Sequence, residues 1–160
     1  MSVGKKFSTW ATTGISSPQS ETMDGDYGTG EAGRQSALPA LRHSLRIPLV
    51  PKSPNGPEGL LRMFWAKRAN YNKYWVALVR EAMGRNFSRQ PEGVMAYVYI
   101  RQNRKRLLDR DNAWASLKPV IDALVNAEIL IDDDEEHALI SMAQKKCGTD
   151  KPSTIIEIRW

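Results

Sequence analysis

The 160-residue chain is poor in cysteine and histidine, and it has no long apolar run. Its single cysteine, Cys147, cannot form an internal disulfide, which argues against a disulfide-stapled secreted domain and favours a reducing, intracellular environment. His43 and His137 have no ligand partner at a useful spacing, so zinc chemistry has no support. The N-terminal residues lack the apolar stretch of a secretory signal, and no segment has the 18 or so apolar residues of a membrane helix. We therefore expect a protein without a membrane span.

The charge is distributed unevenly along the chain. Residues 1–43 contain four Lys or Arg and four Asp or Glu, residues 44–108 contain thirteen and three, and residues 109–160 contain six and eleven. The segment charges are therefore 0, +10 and −5, which give the net charge of +5. A basic middle next to an acidic end predicts a polyanionic partner held beside a cluster of carboxylates, or else two surfaces that attract each other.

Two parts of the chain differ in composition. Residues 1–43 are rich in Gly, Ser and Thr without an apolar period, which is typical of a disordered or loosely attached tail. Residues 44–160 carry regular periodicities and are expected to form one domain.

Within the domain, the patterns alternate between strand and helix. Alternating apolar residues predict strands at 44–50, 94–100, 137–144 and 153–159, with the last two joined as a hairpin by a long turn. A helix is predicted from Leu60 to Met83, or from about Asn72 if Asn70 and Asn72 mark a break. Another is predicted over 116–127 with Ser116 as N-cap, or from Asn112 with a kink at Pro119. This order predicts an α/β (α+β) fold, a small mixed sheet with helices packed on it.

The candidate chemistry lies between residues 101 and 136. A basic run is followed by Asp109, Asp111 and Asn112, then by Lys118, and finally by the aspartates at 132–134. If residues 109–111 are extended, the first two carboxylates point to the same side, and a third from the later turn would complete a site for hard Mg²⁺. Lys118 is one helical turn from Asp122 and could stabilise charge on a phosphate.

These residues have two other interpretations. An EF-hand loop starting at Asp109 fails, because its sixth position is Trp114 and its twelfth is Val120. A purely structural interpretation stays open, in which Asp111 caps a helix and the acidic run is a solvated turn.

At these positions the sequence resembles the RusA family of Holliday junction resolvases. The resemblance is carried by DRDN at 109–112, by the Lys118-to-Asp122 spacing running into DALVNA, and by the aspartates at 132–133. It implies a RusA-like fold and a homodimer that nicks four-way DNA junctions symmetrically, using Mg²⁺ with Mn²⁺ as the alternative ion. Carried over by position, it implies that Asp109, Asp111 and Asp133 bind the metal and that Lys118 assists. Asp132 and Asp134 remain alternatives to Asp133, and Glu128 stands where the family often has glycine.

We therefore expect an endodeoxyribonuclease of DNA recombination and repair, in the cytoplasm of a bacterial or phage-infected cell and associated with the nucleoid. Two alternatives remain: a branched-DNA-binding module without catalysis, and a nuclease for another branched substrate. The interleaved basic and aromatic residues of 60–83 favour nucleic-acid binding, although large rings are commonly core residues. The expected contacts to backbone phosphates are Arg101, Arg104, Lys105, Arg106, Lys67, Arg68 and Lys73.

Overall fold

Residues 39–85 and 87–160 are described by the structure, a computed structural model. They form a four-stranded mixed sheet with two α-helices, which confirms the predicted α+β class. The elements in chain order are β1 (Leu41–Ile47), a 3₁₀ turn (Leu60–Arg62), α1 (Trp65–Met83), β2 (Ala96–Arg104), α2 (Arg110–Asn126), β3 (Ala138–Lys146) and β4 (Ser153–Arg159).

The strands lie in the order β1-β4-β2-β3. β2 runs parallel to β3 and antiparallel to β4, and β4 runs antiparallel to β1. The predicted hairpin between the last two strands is therefore wrong, because β2 lies between them. α2 provides the crossover that a parallel β2–β3 pair needs, and β4 then takes the other edge of β2.

One face of the sheet forms the core together with the helices. Alternate residues of β1, β2 and β4 are buried there, and α1 and α2 cover them with apolar side chains. The core includes Leu45, Ile47, Val98, Ile100, Ile156 and Ile158 from the sheet, and Trp75, Val79, Leu117, Val120 and Leu124 from the helices. The opposite face, which we call the open face, carries Tyr97, Tyr99, Arg101 and Asn103 of β2, each exposed or half-buried.

The first strand begins and ends earlier than its pattern predicts. The predicted tail lies outside the described residues over 1–38, but Leu41 and His43, within the predicted tail, already belong to β1. The strand stops at Ile47 because Pro48 has no N–H to donate to a sheet ladder. The domain thus starts before residue 44.

β2 extends beyond its predicted end at residue 100. It continues to Arg104, pairing with Lys146 of β3 at its last residue. The basic run therefore begins inside a strand, where successive side chains point to opposite faces. Arg101 and Arg104 are three residues apart and consequently lie on opposite faces of the sheet.

The first helix is interrupted near its start and not at its asparagines. The 3₁₀ turn precedes α1, which continues from Trp65 through Asn70 and Asn72 without a break. Trp75 and Val79 are fully buried as expected of the apolar face. Trp65, however, is 73% exposed, together with Phe64 at 68% and Leu61 at 70%.

The second helix starts at Arg110 with Asp109 as its N-cap, so the predicted start at Ser116 is wrong and the alternative from Asn112 is nearer. Ser116 is instead buried within the helix, and its hydroxyl donates to the Ala113 carbonyl at 2.7 Å. Pro119 lies in the helix interior and is buried. Among residues 39–85 and 87–160, neither helix has the length and hydropathy of a membrane span.

Candidate active site on helix α2

The N-terminus of α2 is held by a chain of polar side chains. Asp109 accepts the backbone N–H of Asn112 at 2.9 Å and the side-chain amide of the same residue at 2.5 Å. These bonds from Asn112 lower the pKa of Asp109. Asn112 in turn accepts a bond from Asn55 at 2.8 Å, which fastens the loop before the 3₁₀ turn to the helix. Asp109 therefore acts first as a helix cap.

Asp111 lies in the first turn of α2 and is exposed. The prediction that Asp109 and Asp111 share one side of an extended segment is wrong, because only Asp109 has an extended backbone and Asp111 is already helical. The structural interpretation had assigned the cap to Asp111, but the capping side chain is Asp109. Asp109 is thus the N-cap of α2, and Asp111 is the second residue of the helix.

Farther along α2, Lys118 is held between two carboxylates. Its ammonium lies 2.6 Å from Oδ2 of Asp133 and 2.9 Å from Oδ1 of Asp122. The pKa of Lys118 is raised by Asp133 first and Asp122 second, and the pKa of Asp133 is lowered chiefly by Lys118. Both carboxylates are partly buried, with 28% and 29% of their side chains exposed. Lys118 and Asp133 thus stabilise each other in their charged forms.

The geometry distinguishes the three aspartates of the acidic turn. Only Asp133 reaches Lys118. Asp132 accepts the backbone N–H of Asp133 at 2.7 Å, and Asp134 accepts the backbone and ring N–H groups of His137. Asp134 is therefore occupied in closing the turn, and Asp133 is the aspartate that faces α2.

The predicted metal ligands are not gathered at one point. Among residues 39–85 and 87–160, no three of the His, Cys, Asp and Glu side chains lie close enough to hold a metal ion together. Asp111, Lys118 and Asp122 share a helix face, since they are seven and four residues apart, but seven residues correspond to about 10 Å along the axis. The oxygen donors suit Mg²⁺ in kind, but Asp109, Asp111 and Asp133 do not form the predicted three-ligand site.

The predicted phosphate contacts separate into available and unavailable groups. Arg104 is only 7% exposed, and its guanidinium donates to Gln102 Oε1, Ser116 Oγ and the Pro51 carbonyl. Burial lowers its pKa. β2 extends to Arg104 and places its side chain on the core face of the sheet. The prediction that Arg104 contacts phosphate is therefore wrong.

The other predicted contacts remain accessible. Arg101 is half-buried on the open face, whereas the remaining five are exposed. Arg68 also donates to the Leu60 carbonyl at 2.6 Å, which fixes its position at the start of α1. The five exposed residues are Lys67, Arg68, Lys73, Lys105 and Arg106.

A cavity of about 310 Å³ joins the helices next to Lys118. It is lined by Leu61 and Arg68 on one side and by Lys118 and Asp122 on the other. The exposed rings of Phe64 and Trp65 follow Leu61 in the chain, and their centroids lie 5.5 Å apart.

Asp122 and the exposed ring pair were missed as site residues from the sequence. Asp122 had a signal, because Lys118 and Asp122 are four residues apart on a helix. No signal in the sequence indicated that Phe64 and Trp65 are exposed, since their apolar spacing predicts burial.

No protein-family model matches the chain, and no curated protein is significantly similar to it. The resemblance to the RusA resolvases therefore stays a prediction from the quoted motifs.

Proposed function

We propose that the chain is a Mg²⁺-dependent endodeoxyribonuclease that cuts branched DNA, with the four-way junction as its substrate. The observation that carries the proposal is the position of Lys118, an ammonium held by two carboxylates on the solvent side of α2. A charged lysine at such a site can stabilise the negative charge that develops on a phosphate during cleavage. The requirement for Mg²⁺ comes from the RusA resemblance and from the oxygen chemistry of the side chains.

The surroundings of Lys118 suit a DNA backbone. Lys67, Arg68 and Lys73 lie on α1, which packs beside α2, and all three are exposed. Arg68 lines the same cavity as Lys118. Such contacts position a duplex without reading its sequence, and they weaken as salt rises. A homodimer would present two such surfaces to the two strands that a four-way junction exchanges.

The alternative function is branched-DNA binding without catalysis. It is favoured by the spacing of the carboxylates, since the described residues do not assemble a three-ligand metal site. In that case the basic surface would bind junctions and added Mg²⁺ would change nothing. Cleavage of a different branched substrate is separated from both by comparing substrates.

The test is incubation of the purified chain with a labelled four-way junction and a matched linear duplex, with Mg²⁺ or with EDTA. Paired nicks near the crossover, made only with Mg²⁺ and only on the junction, are the expected result. Junction binding without cutting under Mg²⁺ and Mn²⁺ would reject the nuclease and leave the binding module. A flapped substrate that is cut faster than the junction would change the substrate assignment.

Single variants test the residues. Asp111→Asn and Asp133→Asn are expected to abolish cutting while junction binding stays largely intact, because each removes a carboxylate charge at nearly constant volume. Glu135→Gln is the matched control, since Glu135 is exposed in the same acidic turn and makes no contact with Lys118. Wild-type cutting by the Asp133 variant would remove Asp133 from the site.

A further inference from the structure

A second basic site lies on the open face of the sheet, away from α2. Its centre is a cavity of about 160 Å³ at the end of the sheet where β2 and β3 finish. Five basic residues and one acidic residue, Asp150, line it, which gives a local charge of +4. The five are Arg46, Arg101, Lys145, Lys146 and Lys151.

Strand register brings the central members of this cluster to one face. Arg46 pairs with Ile155, Ile155 pairs with Arg101, and Arg101 pairs with Ala143, so these residues form one row across four strands. Lys145 is two residues beyond Ala143 and therefore projects from the same face. Only β4 separates Arg46 from Arg101, so their Cα atoms are roughly 10 Å apart, within reach of one anion for two long side chains.

The cluster has unused capacity for an anion. Within the described residues, none of the five basic side chains forms an ion pair. Arg101 Nε is buried and has no hydrogen-bond partner there. An unsatisfied donor of this kind costs free energy in the folded state, and an anion in the cavity would satisfy it. Ser153, which accepts the Asn103 amide at 2.9 Å, adds a hydroxyl to the cavity lining.

We propose that this cavity is a phosphate-binding site and that its ligand is a backbone phosphate of a nucleic acid. Guanidinium groups bind phosphate oxygens in a forked geometry, which suits Arg46 and Arg101. The proposal does not depend on DNA cleavage, because no residue of the α2 site takes part in it.

The neighbouring surface supports a nucleic acid over free phosphate. Tyr97 and Tyr99 precede Arg101 on the same face of β2, and with Leu139 they line a cavity of about 450 Å³. The charged groups in its lining, Glu157 and Arg159, pair with each other at 3.4 Å. Tyrosine rings beside a basic groove are a stacking platform for the bases of a nucleic acid. A strand lying along β2 would thus place a phosphate at Arg101 and a base over a tyrosine.

The test measures binding in EDTA, so that cutting plays no part. Fluorescence anisotropy with a labelled single-stranded DNA oligonucleotide is recorded over a range of salt for the full chain and for Arg101→Gln and Arg46→Gln. Each variant is expected to weaken binding about tenfold, the loss of one charge-assisted hydrogen bond, and to reduce the salt slope by about 0.7. Arg85→Gln is the control, because Arg85 is exposed after α1 and outside the cavity.

Titration with inorganic phosphate distinguishes the two sources of the group. Saturable phosphate binding that both variants lose, with unchanged DNA affinity, would keep the site and assign it to free phosphate. Binding of both ligands that is no weaker in Arg101→Gln and Arg46→Gln than in the Arg85 control would overturn the proposal. Arg46 is exposed, so its variant remains informative if the half-buried Arg101 variant does not fold.

Discussion

Glu128 occupies a backbone position that favours glycine. We therefore expect the replacement of Glu128 by glycine to raise the stability of the domain measurably. α2 ends in two hydrogen bonds of a Schellman motif, from the Glu128 N–H to the Val125 carbonyl at 2.8 Å and from the Ile129 N–H to the Leu124 carbonyl at 3.0 Å. The motif needs a left-handed residue between them, and Glu128 has φ 64°. Within the described residues it is the only residue other than glycine with positive φ.

The size of the effect follows from two opposing terms. A left-handed conformation costs a residue with a Cβ roughly 1–2 kcal/mol, which glycine avoids, and the greater freedom of glycine in the unfolded chain offsets part of this gain. Glu128 also pairs with Arg89 at 3.8 Å, but both side chains are more than 60% exposed, so the pair contributes about 0.5 kcal/mol at most. Glu128→Gly should therefore raise the free energy of unfolding by about 0.5–1 kcal/mol.

Thermal and urea unfolding of three proteins would test this estimate. A gain of this size corresponds to a rise in Tm of roughly 2–5 °C for a domain of this length. Glu128→Ala is the control, because it removes the ion pair and keeps the left-handed strain, so it should be no more stable than the native chain. Equal stability of the Gly and Ala variants would refute the attribution to backbone strain.

Three further predictions concern charged groups of the fold. Arg104→Met should destabilise the domain by roughly 3 kcal/mol in urea unfolding, because it leaves buried acceptors unsatisfied; a loss below about 1 kcal/mol would contradict the assigned contacts. Asp134 raises the pKa of His137 in the folded protein. The pair therefore stabilises the folded state fully at pH values below the ordinary histidine pKa, and this contribution is lost as pH rises through the folded-state pKa of His137. Stability measured between about pH 6 and pH 9 should fall more in the native chain than in His137→Gln, and identical slopes would count against it. Lys118→Met should abolish junction cutting yet change stability by no more than about 1 kcal/mol, since Lys118 is exposed; normal cutting would remove Lys118 from the proposed chemistry.

Local sequence patterns predicted the presence of helices and strands better than the residues at which they begin and end. The apolar alternation of β2 ends near Ile100, and the charged residues that follow argue against a continued strand. The strand nevertheless extends to Arg104, because the guanidinium donates hydrogen bonds to the Pro51 carbonyl and to the Ser116 hydroxyl inside the core. Those partners are 53 and 12 residues away in sequence, so no local pattern reveals that this arginine is satisfied when buried.

The start of α2 shows the opposite case, in which the signal was present and was interpreted differently. Asp109 is a residue type preferred at the N-cap, but the D-x-D-N motif also predicts metal binding on an extended segment. The bond from Asn55 to Asn112 spans 57 residues and could not be predicted from either segment alone. The pairing of Lys118 with Asp122 could be predicted from their four-residue spacing on a helix. The contact of Lys118 with Asp133 could not, because it depends on how the chain folds back after α2.

Segment charges concealed the basic cavity on the open face. Three lysines of the cavity belong to the C-terminal segment, whose net charge is −5: Lys145, Lys146 and Lys151. A charge summed along the sequence therefore groups them with the acidic turn. The length of β3 separates them from that turn, and the pairing of β3 with β2 brings them to the cavity that Arg46 and Arg101 of the basic middle also line. Since the two candidate surfaces arise on opposite sides of one sheet, their roles are separable by mutation. Loss of cutting with largely unchanged junction affinity is expected for the aspartate variants on the α2 side, and loss of single-strand affinity measured in EDTA is expected for the arginine variants on the open face.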